Sequence, residues 1–160
     1  MVKLLQKLLE EGLMDRQGLL KEPYFTKGIR IGDVLVTKEA VRAVQLAKGA
    51  IAAGIEILTE NYGIRLSDIS KVVLAGGFGY YLDPKAGTAI GLLPKELTDR
   101  TVTGGNTALS GAALVGNRML TGQLRAWDDL RRWHELQIQI LNLAEQVKFT
   151  ETFLKKMDFC

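Results

Sequence analysis

The chain has 160 residues, a length that suits one domain with a substantial core. Apolar residues make up 47% and charged residues 24%, which is ordinary for a globular protein. The net charge of +3 is small, its basic residues are scattered, and no apolar run approaches the ~18 residues of a membrane span. We therefore expect a cytoplasmic protein that binds neither nucleic acid nor membrane.

The first part of the chain predicts two helices and a short strand. Leucines at helical spacing predict a helix over residues 2–11 that ends at Gly12. Residues 31–36 predict a strand, and Thr37 is a suitable N-cap for a long amphipathic helix over residues 38–62. Its predicted apolar stripe comprises Val41, Val44, Ile51, Ile55 and Leu58.

Lys48 falls within this stripe, with Gln45 one turn earlier. A lysine among buried residues needs an acceptor for its ammonium or a path for its stem to water. Two interpretations stay open: Lys48 lies at the edge of the stripe, or Gln45 and Lys48 project together toward a ligand. In the second, Lys48→Ala weakens ligand binding with little loss of stability.

The most informative stretch is residues 71–79, KVVLAGGFG. Val72 to Ala75 predicts a buried strand that ends at two glycines. Gly76 and Gly77 can adopt positive φ and allow a flat ligand to lie against the backbone, and ligands of open α/β sheets bind beyond the carboxyl ends of strands. A plain tight turn is the commoner explanation of a double glycine.

The second half predicts a helix over residues 84–90, a strand over residues 100–103 and a further glycine turn. Asn106 or Thr107 can cap the helix that follows. Small residues in that helix permit close packing on a sheet, or approach of a phosphate to its N-terminus: Ala108, Gly111, Ala112 and Ala113. Residues 127–149 predict an amphipathic helix that covers the core.

Cysteine and histidine ligands for zinc or an iron–sulfur cluster are scarce in this sequence. Cys160 is the single cysteine and His134 the single histidine, too few for a zinc site or an iron–sulfur cluster. The surroundings of His134, RRWHELQ, favour a solvated or packing side chain over a catalytic one. We predict no catalytic residue and no metal site within this chain.

Three segments in the same order resemble one family: GDVLVTKEAVRAVQLAKGAIAAGIEIL, KVVLAGGFGYYLDPKAGTAIGLLP and GGNTALSGAAL. Together they resemble the C-terminal domain of the corrinoid-activating ATPases, the reductive activators of corrinoid proteins. These ATPases are members of the sugar kinase, heat-shock chaperone and actin superfamily. The resemblance covers residues 4–120 and, weakly, 147–159, whereas residues 121–145 are divergent.

The resemblance implies an α/β fold: a ribonuclease-H-like, actin-like ATPase half-domain, helix-rich around a short sheet, on one side of a nucleotide cleft. The run LAGGFG is similar to the superfamily's adenosine motif. The resemblance therefore implies a nucleoside bordered by Gly76, Gly77, Phe78 and Gly79. Asn106, at the second glycine turn, is predicted to join this nucleotide-binding set.

The run QLAKGAI is similar to the chaperone helix that places an acidic residue and a lysine beside adenosine. By that resemblance Gln45 would replace the acid and Lys48 would keep the lysine. Gly49 stands where the chaperones have a base-stacking arginine, so the stacking contact would be missing.

The relatives also have parts that this sequence does not contain. Their phosphate-binding hairpins carry an Asp-x-Gly-Thr pattern, and an N-terminal domain with four cysteines holds a [2Fe–2S] cluster. We therefore expect residues 1–160 to be a single domain, the C-terminal fragment of a larger ATPase that lacks the upstream phosphate-binding half. ATP and Mg²⁺ would bind the complete protein, and no cofactor would bind within this chain alone.

The function that the resemblance implies is ATP-dependent reductive activation, in which an electron from the iron–sulfur cluster returns a cobalt(II) corrinoid to cobalt(I). The implied partners are the upstream domains and a corrinoid protein, with a homodimer as a further option, and the isolated chain is expected to be inactive. One alternative is a noncatalytic module that docks a corrinoid protein or dimerises. A sugar or acyl kinase half is disfavoured, because the sequence has no general-base aspartate motif.

Overall fold

The computed structural model describes residues 1–123 and 139–160. Its helices and strands, in chain order, are α1 (Val2–Glu10), β1 (Ile29–Ile31), β2 (Val34–Val36), α2 (Lys38–Tyr62), β3 (Val72–Ala75), α3 (Gly76–Tyr81), α4 (Pro84–Ala89), β4 (Thr101–Gly105), α5 (Thr107–Leu120) and α6 (Phe149–Lys155). Short 3₁₀ turns span Leu66–Asp68, Lys95–Arg100 and Leu143–Glu145. The strands form two separate pairs, β1 with β2 and β3 with β4.

The chain divides into two compact units. The first unit comprises Met1–Val72, Leu82–Val102 and Asn142–Cys160. The second comprises Val73–Tyr81 and Thr103–Leu141, of which residues 103–123 and 139–141 are described. That residues 1–160 form a single domain stays a prediction.

The strand predicted over residues 31–36 is instead a hairpin of two strands. Ile29 lies opposite Val36 and Ile31 opposite Val34 in an antiparallel pair. Gly32, with φ 58°, is the first residue of the two-residue turn between them. A glycine at that position suits the twist of a tight hairpin, and this local signal explains why the run is divided.

The long helix α2 is predicted correctly at both ends. The Thr37 hydroxyl accepts a hydrogen bond from the Ala40 N–H at 3.3 Å, which caps the first turn. At the other end Gly63 adopts the left-handed conformation, with φ 71°, and its N–H donates to the Glu60 carbonyl. Both signals are local to the chain, so sequence alone locates them.

The predicted buried face of α2 is wrong in part. Val41 is buried as expected, but Ile51 and Leu58 are 40% and 52% exposed. The residues that are buried along α2 are Val41, Gln45, Lys48, Gly49, Ala52, Ala53, Gly54 and Ile57. Small side chains on this face allow another element to approach closely, which offsets the loss of the larger apolar residues to the surface.

The element that packs on α2 is α6, together with the C-terminal segment, residues 157–160. A methyl group added at Gly49 would lie 3.1 Å from Met157 Cγ and 3.4 Å from the Phe153 ring, so the two elements are in close contact there. Met157 and Phe159 are both buried, and the Phe159 N–H donates to the Arg16 carbonyl at 2.8 Å. The C-terminal segment therefore completes the core of the first unit.

The amphipathic helix predicted over residues 127–149 is wrong over its described part, residues 139–148. Residues 124–138 lie outside the described residues. Within the described part, residues 139–148 contain only a 3₁₀ turn, in which the Asn142 side chain accepts a hydrogen bond from the Ala144 N–H at 3.2 Å. Val147, expected in the apolar stripe, is exposed. The Asn142 side chain caps this short turn, and such a local hydrogen bond competes with a continuous helix.

None of the helices within residues 1–123 and 139–160 is long and apolar enough to cross a membrane. The longest, α2, has 25 residues and carries charged side chains along its length. The cytoplasmic location stays a prediction.

Candidate functional site

The double glycine lies in the second unit, where β3 runs directly into α3 without an intervening turn. Gly76 has φ 80°, a conformation that favours glycine, whereas Gly77 is not in the left-handed region. Among residues 1–123 and 139–160, no atom would lie within 4 Å of a Cβ added at either glycine. The backbone at this junction is therefore open to an approaching group. We call residues Gly76–Gly79 the glycine platform.

Within the glycine platform, Gly79 differs from the first two glycines. It is buried, and an added Cβ would lie 2.8 Å from the carbonyl carbon of Leu74. Glycine is required there because α3 folds back against β3. Phe78, between the open and the packed glycines, is 62% exposed, so its ring is available to a ligand.

The second glycine turn ends β4 and begins α5. A Cβ at Gly104 would lie 2.8 Å from Val73 Cγ1, so this residue packs directly on β3. The Asn106 Oδ1 accepts a hydrogen bond from the Leu109 N–H at 3.0 Å. Of the two predicted caps, Asn106 is therefore the one that begins the helix, and its Nδ2 has no hydrogen bond among the described residues.

The second unit contains two glycine segments, the glycine platform and the one at Gly104 and Gly105. Each follows the carboxyl end of a strand, and those strands are hydrogen-bonded neighbours. The α-carbon of Gly105 faces the Tyr80 ring, because an added Cβ would lie 3.6 Å from that ring. We take the glycine platform and Asn106 together as the candidate ligand surface, because ligands of α/β sheets bind beyond the carboxyl ends of strands.

Gln45 and Lys48 lie in the first unit, where both side chains are buried, with exposures of 3% and 1%. Gln45 Nε2 donates to the Gln17 carbonyl at 2.9 Å, and Lys48 Nζ donates to the Asp158 carbonyl. Lys48 does not lie at the exposed edge of an apolar stripe, because its side chain is fully buried. Contact of Gln45 and Lys48 with a nucleotide stays a prediction.

The Lys48 ammonium is held by two interactions from the C-terminal segment. One is the Asp158 carbonyl, and the other is the Phe159 ring, whose centre lies 5.5 Å from Nζ. Burial lowers the pKa of Lys48, and the charges of Cys160 and Asp158 oppose that shift. A buried ammonium is tolerated here because an acceptor and an aromatic face replace part of its hydration.

The acceptor of Lys48 was not predicted from the sequence. A main-chain carbonyl can belong to any residue type, so Asp158 carries no side-chain signal for this contact. Two observations together could have indicated it: a lysine in a buried helix face requires an acceptor, and the family resemblance returns weakly at residues 147–159.

Comparison with known proteins identifies the same family as the three sequence segments. Residues 1–160 match the family described as the C-terminal domain of RACo, the ASKHA domain. The corrinoid activation enzyme RamQ of Eubacterium limosum is 49% identical over 82 residues, which are 51% of this chain and 14% of that protein. A solved structure of a reductive activator for corrinoid, iron-sulfur protein is 25% identical with a TM-score of 0.79, over 99% of this chain and 27% of that one.

These matches confirm the resemblance that the three sequence segments indicated, and with it the ribonuclease-H-like, actin-like α/β fold class. They also show that the chain spans less than a third of the length of either relative.

The structure predicts that Lys48→Ala destabilises the protein, the reverse of the small loss that the sequence suggested. Removing a fully buried side chain leaves a cavity and an unpaired Asp158 carbonyl, at a cost of about 2–5 kcal/mol. Lys38→Ala, on the exposed start of the same helix, is the matched control and changes stability by less than about 0.5 kcal/mol. Urea unfolding measures both, and equal losses would contradict the account.

The difference in stability between the wild type and Lys48→Ala depends on pH. Because folding lowers the pKa of Lys48, the unfolded chain binds more protons than the folded chain between that lowered pKa and the ordinary value of 10.5. The wild type therefore gains unfolding free energy relative to Lys48→Ala as pH rises through this window. Urea unfolding at a series of alkaline pH values would contradict this if the difference stayed flat or fell.

Two valine substitutions separate the packed glycine from the open one. Gly79→Val places a branched side chain against the Leu74 backbone and costs about 2 kcal/mol or more. Gly77→Val enters open space and changes stability by no more than about 1 kcal/mol. Thermal unfolding of the two variants tests this order, and a Gly77→Val variant that is the less stable of the two would refute it.

Proposed function

Because the chain belongs to the family described as the C-terminal domain of RACo, the ASKHA domain, we propose that it forms one side of the nucleotide cleft of an ATP-dependent reductive activator. The observation that carries this proposal is the match along the whole chain, joined to a structural likeness to a reductive activator with a TM-score of 0.79. In the complete protein, ATP binding and hydrolysis would be coupled to one-electron transfer. An iron–sulfur cluster would lose the electron, and a cobalt(II) corrinoid would gain it and become cobalt(I).

In this proposal the glycine platform borders the nucleoside. Gly76 and Gly77 fit that role because the space that a Cβ would fill is open, and Phe78 offers an exposed ring beside them. Asn106 would contribute its Nδ2 group, since its Oδ1 is engaged in capping α5. These groups can position a nucleoside but transfer no proton and form no covalent bond.

Gln45 and Lys48 complete the proposed nucleotide-binding set through the family resemblance alone. Their donor groups are engaged by the Gln17 and Asp158 carbonyls. We assign them a second role, which is to hold the polypeptide around α2 in place.

The metal and the cluster would be held elsewhere in the complete protein. Within the described residues no three side chains of His, Cys, Asp or Glu are grouped so that they could hold a metal ion. The single cysteine, Cys160, cannot ligate a [2Fe–2S] cluster, which needs four ligands. We therefore assign Mg²⁺, the phosphates and the cluster to other parts of the activator.

A noncatalytic docking module is the second candidate function, and the aromatic surface of α3 favours it. Tyr80 and Tyr81 are 58% and 85% exposed and form an edge-to-face pair with ring centres 4.8 Å apart. Exposed tyrosines are common at protein interfaces. The partner in this case would be a corrinoid protein or a second copy of the chain.

Formation of cobalt(I) tests the proposed function in the complete protein. The activator, an electron donor and a cobalt(II) corrinoid protein are mixed with and without ATP, and cobalt(I) is followed by its visible absorbance. We expect ATP to increase the rate at least about 10-fold, equivalent to about 1.4 kcal/mol. If the rate of cobalt(I) formation does not depend on ATP while the corrinoid protein still binds, the docking module would be favoured.

The 160-residue chain alone is expected to have no detectable ATPase activity. Its contacts reach only the nucleoside, and phosphoryl transfer requires positioned metal and phosphate contacts. We expect ATP binding no tighter than about 1 mM, which corresponds to about 4 kcal/mol. Titration calorimetry against the complete protein as control measures this, and a micromolar dissociation constant for the chain alone would exclude the proposed division of the site.

A further inference from the structure

Arg100 is the last residue before β4, and its side chain reaches the segment that leads into β3. The guanidinium Nη1 donates to the Ile69 carbonyl at 2.7 Å and to the Ser67 carbonyl at 2.8 Å, with a longer contact of 3.4 Å to the Leu66 carbonyl. β3 begins three residues after Ile69. One side chain therefore joins the two segments from which the strands start.

The acceptors of Arg100 lie on a turn that is itself held in place. The end of a short helical turn such as Leu66–Asp68 leaves main-chain carbonyls without partners inside the turn. The Arg65 guanidinium donates to the Asp68 carboxylate at 3.1 Å, and the same carboxylate accepts from the Arg65 N–H at 3.0 Å. The Ser67 and Ile69 carbonyls are therefore fixed acceptors for a donor from outside the turn.

The backbone of Arg100 is also anchored. Arg100 ends the 3₁₀ turn Lys95–Arg100, in which Leu97 is buried. The Thr101 hydroxyl donates to the Leu97 carbonyl at 2.7 Å, which fixes the first residue of β4 to that turn. The arginine side chain thus connects two ordered turns, one before each strand.

The contact is suited to fixing a distance more than to adding stability. Arg100 is exposed, and exposed charged contacts contribute little to the stability of a fold. A planar guanidinium directs its N–H groups along fixed lines, whereas the ammonium of lysine rotates freely on a flexible stem. Two main-chain acceptors on one nitrogen therefore hold the turns at a defined spacing.

The two strands that start near this contact end at the candidate ligand surface. β3 and β4 are hydrogen-bonded neighbours. β3 runs into the glycine platform, and β4 ends at Gly105, directly before Asn106. A shift of β4 by one residue along β3 would move Asn106 by about 3.3 Å relative to the glycine platform. The alignment of the strands therefore decides whether a single ligand can contact both groups.

We propose that Arg100 is a positioning residue for the candidate nucleoside surface. Its contacts with the Ser67 and Ile69 carbonyls set the register of β4 on β3. That register in turn sets the distance of Asn106 from the glycine platform. Arg100 itself contacts no ligand. The inference rests on the proposed function only in taking this surface as the nucleoside site.

Hydrogen exchange of the complete protein without nucleotide tests the effect on the strands. Arg100→Ala removes the contacts between the two turns. Arg65→Ala is the matched control, because it loosens the same acceptor turn and leaves the contacts of Arg100 available. Exchange in peptides that cover residues 101–106 is followed by mass spectrometry. Arg100→Gln, which keeps a neutral donor of shorter reach, serves in place of any Arg100→Ala protein that does not fold.

We expect exchange in residues 101–106 to be at least about 10-fold faster in Arg100→Ala than in the wild type, and to change by less than about twofold in Arg65→Ala. Equal exchange in the wild type and Arg100→Ala would overturn the proposal. An equal increase in Arg65→Ala would also overturn it, because Arg100 would then act only by stabilising the turn.

The ATP dissociation constants of the same proteins, measured at a temperature at which all of them are folded, test the effect on the candidate surface. We expect Arg100→Ala to bind ATP at least about 10-fold more weakly than the wild type, and Arg65→Ala to bind it within about twofold of the wild type. A purely stabilising role would lower the melting temperature of Arg100→Ala and leave its ATP affinity unchanged, and that result would overturn the proposal.

Failure of this inference is distinguishable from failure of the proposed function. A wild-type complete protein that binds no ATP would reject the proposed function, and hydrogen exchange would still decide whether Arg100 sets the strand register. A wild type that binds ATP, with Arg100→Ala unchanged in both measurements, would keep the proposed function and reject the positioning role.

Discussion

The first unit depends on the buried ammonium of Lys48. It holds the C-terminal segment on α2 through the Asp158 carbonyl and the Phe159 ring, and the residue is only 1% exposed. The same point constrains the chain after α4, since a Cβ at Gly91 would lie 3.0 Å from Lys48 Nζ and 2.6 Å from Cys160 Sγ. A charge at the centre of a core is stable only while its acceptor stays in place, so the fold and the position of the C-terminal segment are linked.

The two units differ in how completely their own described residues are packed. The first has a packed interior closed by α6 and the C-terminal segment, whereas in the second none of the residues of α5 is buried and Val73 of β3 is 50% exposed. The candidate nucleoside surface lies in the second unit. Its glycine platform is therefore carried by the less densely packed of the two units, as far as the described residues show.

Local signals in the sequence predicted the elements that local chemistry determines. Thr37 and Gly63 mark the ends of α2, and Asn106 begins α5, because each acts on backbone groups within four residues. The buried face of α2 could not be predicted in this way. Ile51 is more apolar than Lys48, yet contact with α6 and the C-terminal segment, a hundred residues away, selects the face with small residues.

In the glycine platform, too, the sequence predicted the local feature but not the feature that depends on tertiary packing. Sequence pattern located Gly76–Gly79 after a strand, and the family resemblance supplied their proposed ligand. Sequence could not separate Gly79, which is packed against Leu74, from Gly77, which is open, because that distinction depends on how α3 folds back on β3.

We propose that the open backbone at Gly77 borders the nucleoside. The most direct test is the ATP dissociation constant of the complete protein carrying Gly77→Val. Since valine there enters space that no described residue fills, the variant is expected to stay folded while its side chain occupies the proposed place of the nucleoside. The account predicts ATP binding weaker by at least about 10-fold, equivalent to about 1.4 kcal/mol, in a variant whose melting temperature is close to that of the wild type. An unchanged dissociation constant in that folded variant would contradict it.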